Sequence, residues 1–210
     1  MVESLLAFAG AAVLIAMAPG PSTVVIMRQS MRSGRRAGLA TVLGNEAGVL
    51  VWGVAAAVGL SALLAASRVA YEGLRVAGAV VLVWFGVRAL WQARRGGRPG
   101  GVVPEVGGAV SSGWRCFRLG LVTNFANPKA GVFAVSFLPQ FVPQGWPVGW
   151  VLVGFSVLWV LIDLAWYTAV VWSVGAARRL LGRPVVRRRL DQVSGVVLVG
   201  LGVRLAAEAR

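Results

Sequence analysis

Three ionisable residues stand inside long apolar runs of this sequence, Glu46, Lys129 and Asp163. A charge in apolar surroundings is costly, so each needs a partner or a task there. Asp163 has Trp159 four residues before it, and Trp166 and Tyr167 three and four residues after it, which places all four on one helical face. A carboxylate among aromatic rings can hold an ammonium by charge and cation–π attraction. It can also load and release a proton, and the two occupants exclude each other. The competing reading pairs Asp163 with Lys129 and leaves the aromatics as anchors. Lys129 is the one lysine beside twenty arginines, a compact, titratable ammonium where the chain otherwise uses guanidinium. Its tasks are to meet an anionic ligand or to neutralise Asp163. Glu46 follows Asn45; it serves as a second proton carrier, lines a vestibule, or reaches toward Arg28 and water.

Two proline-bearing breaks accompany these charges. The first is Ala18-Pro19-Gly20-Pro21-Ser22-Thr23, the second Asn124-Phe125-Ala126-Asn127-Pro128-Lys129-Ala130. Proline removes a backbone donor and clashes with the carbonyl four residues back, so a helix kinks or splits at each. With Gly20 or Asn127 as cap and Pro21 or Pro128 as first helical residue, a half-helix starts whose free N–H groups suit an anion, a carboxylate above all. Ser22 and Thr23 add hydroxyls, and Asn124 and Asn127 share a face and add amides. The alternative is a pair of ordinary kinks repaired by neighbouring helices.

The elements that must position these residues follow from composition. Of 210 residues, 58% are hydrophobic, 13% are charged and 28 are glycine, against roughly a quarter charged in a soluble domain. Six stretches reach the ~20 apolar residues that a helix needs to cross a bilayer, at 4–27, 37–65, 70–91, 117–142, 148–173 and 190–207; Asp191 and Arg204 make the last the weakest. The N-terminus, with Glu3 and Pro19, reads as the first span rather than as a cleaved signal. The net charge of +14 raises nucleic acid as a partner, but sixteen of the arginines cluster at connectors one, three and five, while the fourth connector, 139–147, has no charge. That alternation follows the positive-inside rule, with those connectors cytoplasmic and both termini outside. It excludes the nucleic-acid reading, which needs one basic surface. Trp146, Trp150 and Trp172 read as interfacial belt residues.

Three spans per half is an odd number, so the second half enters the membrane inverted. The expected fold is an all-α integral membrane protein of two inverted three-helix repeats, 1–93 and 115–210, joined by a flexible Gly/Pro/Arg-rich linker at 94–114, with the first and fourth helices broken. Paired interruptions in inverted repeats point to a transporter binding site. With no histidine and only Cys116, zinc catalysis, disulfide exchange and Ser-His-Asp chemistry lose their parts.

Pro19-Gly20-Pro21, the ladder of Gly34, Gly38, Gly44 and Gly48, and the run from Phe117 through Gly120, Asn124 and Asn127-Pro128-Lys129-Ala130 to Leu138-Pro139-Gln140-Phe141 resemble the LysE/RhtB family of amino-acid exporters over essentially the whole chain. The resemblance implies an inner-membrane exporter of amino acids or close derivatives, driven by proton exchange, with a six-helix inverted-repeat fold and an aspartate in the fifth helix. It implies no enzyme activity and no cofactor. The expected partners are the amino-acid substrate, protons and the lipid bilayer, with no nucleic acid; a homo-oligomer is left open. The expected substrate-binding residues are Pro19, Gly20, Pro21, Ser22, Thr23, Asn124, Asn127, Pro128, Lys129, Asp163 and Tyr167, with proton coupling at Asp163 and Glu46. Two other readings remain: the same fold exporting a metal cation or other small ion, with soft metals disfavoured by the lack of histidine and paired cysteine, and a membrane scaffold without transport. Gly44 and Gly48, a small-xxx-small pair, are expected to allow close helix packing rather than to bind a ligand.

Overall fold

The computed structural model describes residues 2–18, 20–67, 112–143, 145–174, 176 and 183–208, with scattered positions between 69 and 94. Every regular element among them is helical. In chain order these are α1 (Val2–Met17), α2 (Pro21–Ala66), α3 (Gly113–Phe125), the short α4 (Pro128–Val132), a π-helical turn (Phe133–Phe137), a 3-10 turn (Leu138–Phe141), α5 (Val148–Trp172) and α6 (Pro184–Glu208). Pro19 and residues 95–111 of the expected linker lie outside the described residues, while its last two residues, Gly113 and Trp114, already belong to α3.

The first expected span and first connector are redrawn. α1 stops at Met17 and helix resumes at Pro21, running on past Met27 through the arginines. Arginine is a good helix former, so the connector is helical, and the chain turns at one residue, Gly34, with φ 84° and ψ 175°. That backbone region is essentially open to glycine alone. α2 is therefore a hairpin: Ser30 and Gly38 touch across the turn, and Ile26 meets Val42 in one buried cluster with Tyr167 and Val171.

The fourth span breaks more than once. After the Ala126-Asn127 gap, Pro139 has no amide for the carbonyl four residues back, and the chain passes through the π and 3-10 turns instead of continuing as α-helix. The sixth helix is longer than its apolar stretch, starting at Pro184 rather than 190, because a leading proline is pre-set for the first turn.

Pro21–Leu63 and Val148–Trp172 are long and apolar enough to cross a membrane, and Glu3–Met17 is a shorter apolar helix. The tryptophans expected in the belt are exposed at the two ends of α5; Trp150 and Trp172 are about 33 Å apart at 1.5 Å per residue, close to the ~30 Å hydrocarbon core. At the Trp172 end, Arg35 lies 4.8 Å over the indole and donates from Nη2 to the Trp172 carbonyl at 3.4 Å. Cys116, near the start of α3, packs on Ala37 there. At the other end, Leu5 of α1 lines one groove with Trp146 and Trp150. α1 and α3 thus run toward the middle of the molecule from opposite ends.

Close backbone contact joins α2 to α3. A Cβ on Gly44 would overlap the Phe117 carbonyl, and one on Gly120 the Thr41 carbonyl, so these two glycines let the helices pack backbone to backbone. Of the third stretch, the described positions are helical; a Cβ on Gly86 would stand 2.8 Å from the Gly195 carbonyl oxygen of α6.

Candidate functional site

Both breaks form as the local sequence rules require. Gly20, extended at φ −142° and ψ −174°, precedes Pro21 as the first residue of α2 and supplies no side-chain cap. Asn127, at φ −89° and ψ 102°, precedes Pro128, and its Oδ1 accepts from the Lys129 amide at 3.1 Å. The two helix starts therefore differ: α4 caps itself, while the first-turn amides of α2 have no capping side chain.

The breaks meet. Asn127 Nδ2 donates to Ser22 Oγ at 3.3 Å, 105 positions away in sequence. Ile15, Ala18, Gly20, Ser22, Asn45, Val49, Asn124, Asn127, Lys129, Trp159, Asp163 and Tyr167 are among the residues that enclose a cavity of about 20 Å³ between α1, α2, α3, α4 and α5. That is room for about one water. Toward the Trp150 end it is flanked by packed rings: Phe8 lies 4.8 Å from Phe155, Phe133 4.5 Å from Trp159 and Phe137 4.9 Å from Phe141, centroid to centroid. Toward the Gly34 turn the Ile26, Val42, Tyr167 and Val171 cluster closes it. Apolar packing thus flanks the site on both sides.

Seven of the eleven expected substrate-binding residues line this cavity: Gly20, Ser22, Asn124, Asn127, Lys129, Asp163 and Tyr167. Pro21 and Pro128 start their helices behind it. Thr23 is buried one residue beyond the wall, with its hydroxyl beside the Tyr167 phenol. Asp163 is 5% exposed and its Oδ1 accepts no hydrogen bond among the described residues. Of its expected aromatic ring, Trp159 and Tyr167 share the cavity wall, whereas Trp166 packs beside the Ile26 and Val42 cluster.

Glu46 is not at the water boundary. It is 3% exposed, its Oε1 accepts from Asn45 Nδ2 at 3.0 Å, and Oε2 has no partner among the described residues. Asn45 in turn accepts from Asn124 Nδ2 at 3.4 Å. Glu46 and Asp163 are within Coulombic reach of each other, and Asp163 of Lys129. The Lys129 ammonium donates to the Ala18 carbonyl at 3.2 Å and to the Ile15 carbonyl.

Asn45 is the wall residue that sequence reasoning passed over. An amide beside a glutamate inside an apolar run was the available signal, since uncharged polar groups at that depth need partners too. Other buried polar residues explain themselves locally: the Ser30, Thr41 and Ser156 hydroxyls donate to carbonyls four residues back on their own helices. Among the described residues no three His, Cys, Asp or Glu side chains gather as a metal group.

Comparison with known proteins bears on the family rather than on the geometry of the site. The chain matches the model of the LysE type translocator over residues 3–209. It is 25% identical over 206 residues to the uncharacterized membrane protein YrhP of Bacillus subtilis, covering 96% of this chain and 98% of that protein. It is 28% identical to the threonine efflux protein of Escherichia coli K12, over 90% of each. Identity to the homoserine/homoserine lactone efflux protein of Salmonella typhimurium is 26%, over 92% and 91%. No solved structure matches it. A match spanning almost the whole chain leaves one family: this is a LysE type translocator, a transport protein and not an enzyme.

Proposed function

We propose that this protein exports an amino acid or close derivative from the cytoplasm by alternating access, exchanging it for a proton. The observation that carries the reading is the cavity at the meeting of two helix breaks, which sets an uncapped helix start beside a buried aspartate. An α-amino acid carries complementary charges. Its carboxylate is received by the first-turn amides of α2 with Ser22 and Thr23, and its ammonium by Asp163 between Trp159 and Tyr167. Asn124 and Asn127 supply amide groups. A proton on Asp163 releases the ammonium, which makes exchange the natural cycle; Glu46, connected through Asn45, is the second proton site. The one-water cavity is the occluded form, and loading requires one of the two apolar seals to part.

In this reading the six helices are two inverted repeats crossing the inner membrane, with connectors one, three and five cytoplasmic and both termini outside. Threonine and homoserine, named in the relatives, are the first cargo candidates. The test is efflux from proteoliposomes under an imposed proton gradient, across the amino acids, with Asp163→Asn as control. Gradient-driven efflux of one or a few amino acids that fails in Asp163→Asn supports the reading; gradient-independent efflux, or efflux unchanged in that variant, overturns it.

A further inference from the structure

Pro19 creates a vacancy that local structure cannot fill. In an uninterrupted helix the amide of residue 19 would donate to the Ile15 carbonyl, and proline has no amide to give. Helix bonding accordingly runs out after the Ala18 amide donates to Leu14 at 3.1 Å. The orphaned carbonyls lie at the C-terminal, negative end of α1, facing the cavity. The Lys129 side chain, 114 residues on, donates to Ile15 and Ala18 there. Its own amide is held by Asn127, whose side chain also donates to Ser22 on the far side of the first break. Residues 127 and 129 thus hold both ends of the first break from the second.

We propose that Lys129 is a positioning residue rather than a ligand of the substrate carboxylate: its ammonium stands in for the donor that Pro19 lacks, pins the end of α1 to the start of α4, and holds the cavity shut between transport steps. The position explains the residue type. A cation suits a helix C-terminus, and a flexible ammonium with three donors can bridge two carbonyls where a planar guanidinium fits less well. It also leaves the α2 amides, rather than a lysine, for the anionic end of the cargo. Asp163 lies within Coulombic reach of the same ammonium, so a substrate ammonium arriving at Asp163 loosens the pin by competing for its counter-charge. Loading and opening are thereby joined.

This inference rests on reading the cavity as the transport site, and the labelling arm of its test is run without cargo. Cys116 is the only cysteine, so Cys116→Ser gives a thiol-free background that keeps the contact from Gln29. Gly20→Cys places a reporter in the wall where an added Cβ meets nothing within 4 Å. Maleimide labelling of this thiol in proteoliposomes is expected to speed up about tenfold in Lys129→Met, as loss of charge-assisted hydrogen bonds shifts the population toward open forms, and to stay within about threefold of the parent in Lys129→Arg, which keeps a charged donor. Transport should follow the same order. If Lys129→Met is not monodisperse in detergent, Lys129→Gln takes its place with the same expectation. Labelling unchanged in the Met or Gln variant while transport is lost makes Lys129 a ligand and overturns the proposal. If labelling responds but no amino acid is transported, the pin stands and the cargo assignment falls.

Discussion

Asp163 and Glu46 divide the chemistry of the site between them. Asp163 touches the cavity, whereas Glu46 is held one hydrogen bond behind it through Asn45. In the proposed cycle a proton and a substrate ammonium compete for the first carboxylate, and the sign of the pH effect follows. Acid on the side where cargo is released protonates Asp163 and speeds release; acid on the loading side removes the counter-charge and raises the apparent KM. Efflux measured with pH varied on one side at a time should show both effects, and Asp163→Asn should show neither, with its transport down at least about a hundredfold because a buried charge pair is removed outright. A one-sided pH effect surviving in Asp163→Asn would place the competition elsewhere. At this scale much was legible in the sequence. Proline, glycine and asparagine act through their own backbones, so both breaks and the Asn127 cap could be read locally. The partners of Lys129 could not, because the carbonyls it meets are identical in every residue and leave no trace in side-chain type.

Helix packing is set by where the backbones touch. Gly44 and Gly120 meet carbonyl groups of the opposing helix rather than yielding side chains, so an added methyl must separate α2 from α3. Gly44→Ala and Gly120→Ala are each expected to cost about 2 kcal/mol or more, as overpacking against rigid backbone does, and to lower the melting temperature in detergent. Gly59→Ala and Gly154→Ala, where an added Cβ meets nothing within 4 Å, should be neutral or gain up to about 1 kcal/mol from helix propensity. Equal shifts in both sets would refute close α2 and α3 packing. The glycine ladder was visible in the sequence, but which glycines meet backbone was not. Hydropathy likewise marked the fourth stretch without showing that Pro139 turns its second half into π and 3-10 geometry.

Charge and shape meet at the level of the whole molecule. Arg35 at the hairpin turn, Cys116 near the start of α3 and Trp172 at the end of α5 share one end, and Trp146 and Trp150 the other. In the Cys116→Ser background, Gly113→Cys should react with an impermeant maleimide only after the cells are permeabilised, whereas Trp146→Cys should react in intact cells. Reaction of both from the same side would overturn the proposed topology. Apolar length and the alternation of arginines were readable from one dimension, because solvation by lipid or water acts on each segment separately. So was the presence of costly charges that need partners. What composition could not disclose is who the partners are: that Lys129 closes the end of α1, that Asn45 links Glu46 to Asn124, and that phenylalanines from four elements pack beside a cavity the size of one water. Those facts depend on distant segments being brought into contact, 79 positions apart for Asn45 and Asn124 and 114 for Ile15 and Lys129, and pairings of that kind exist only once the chain is packed.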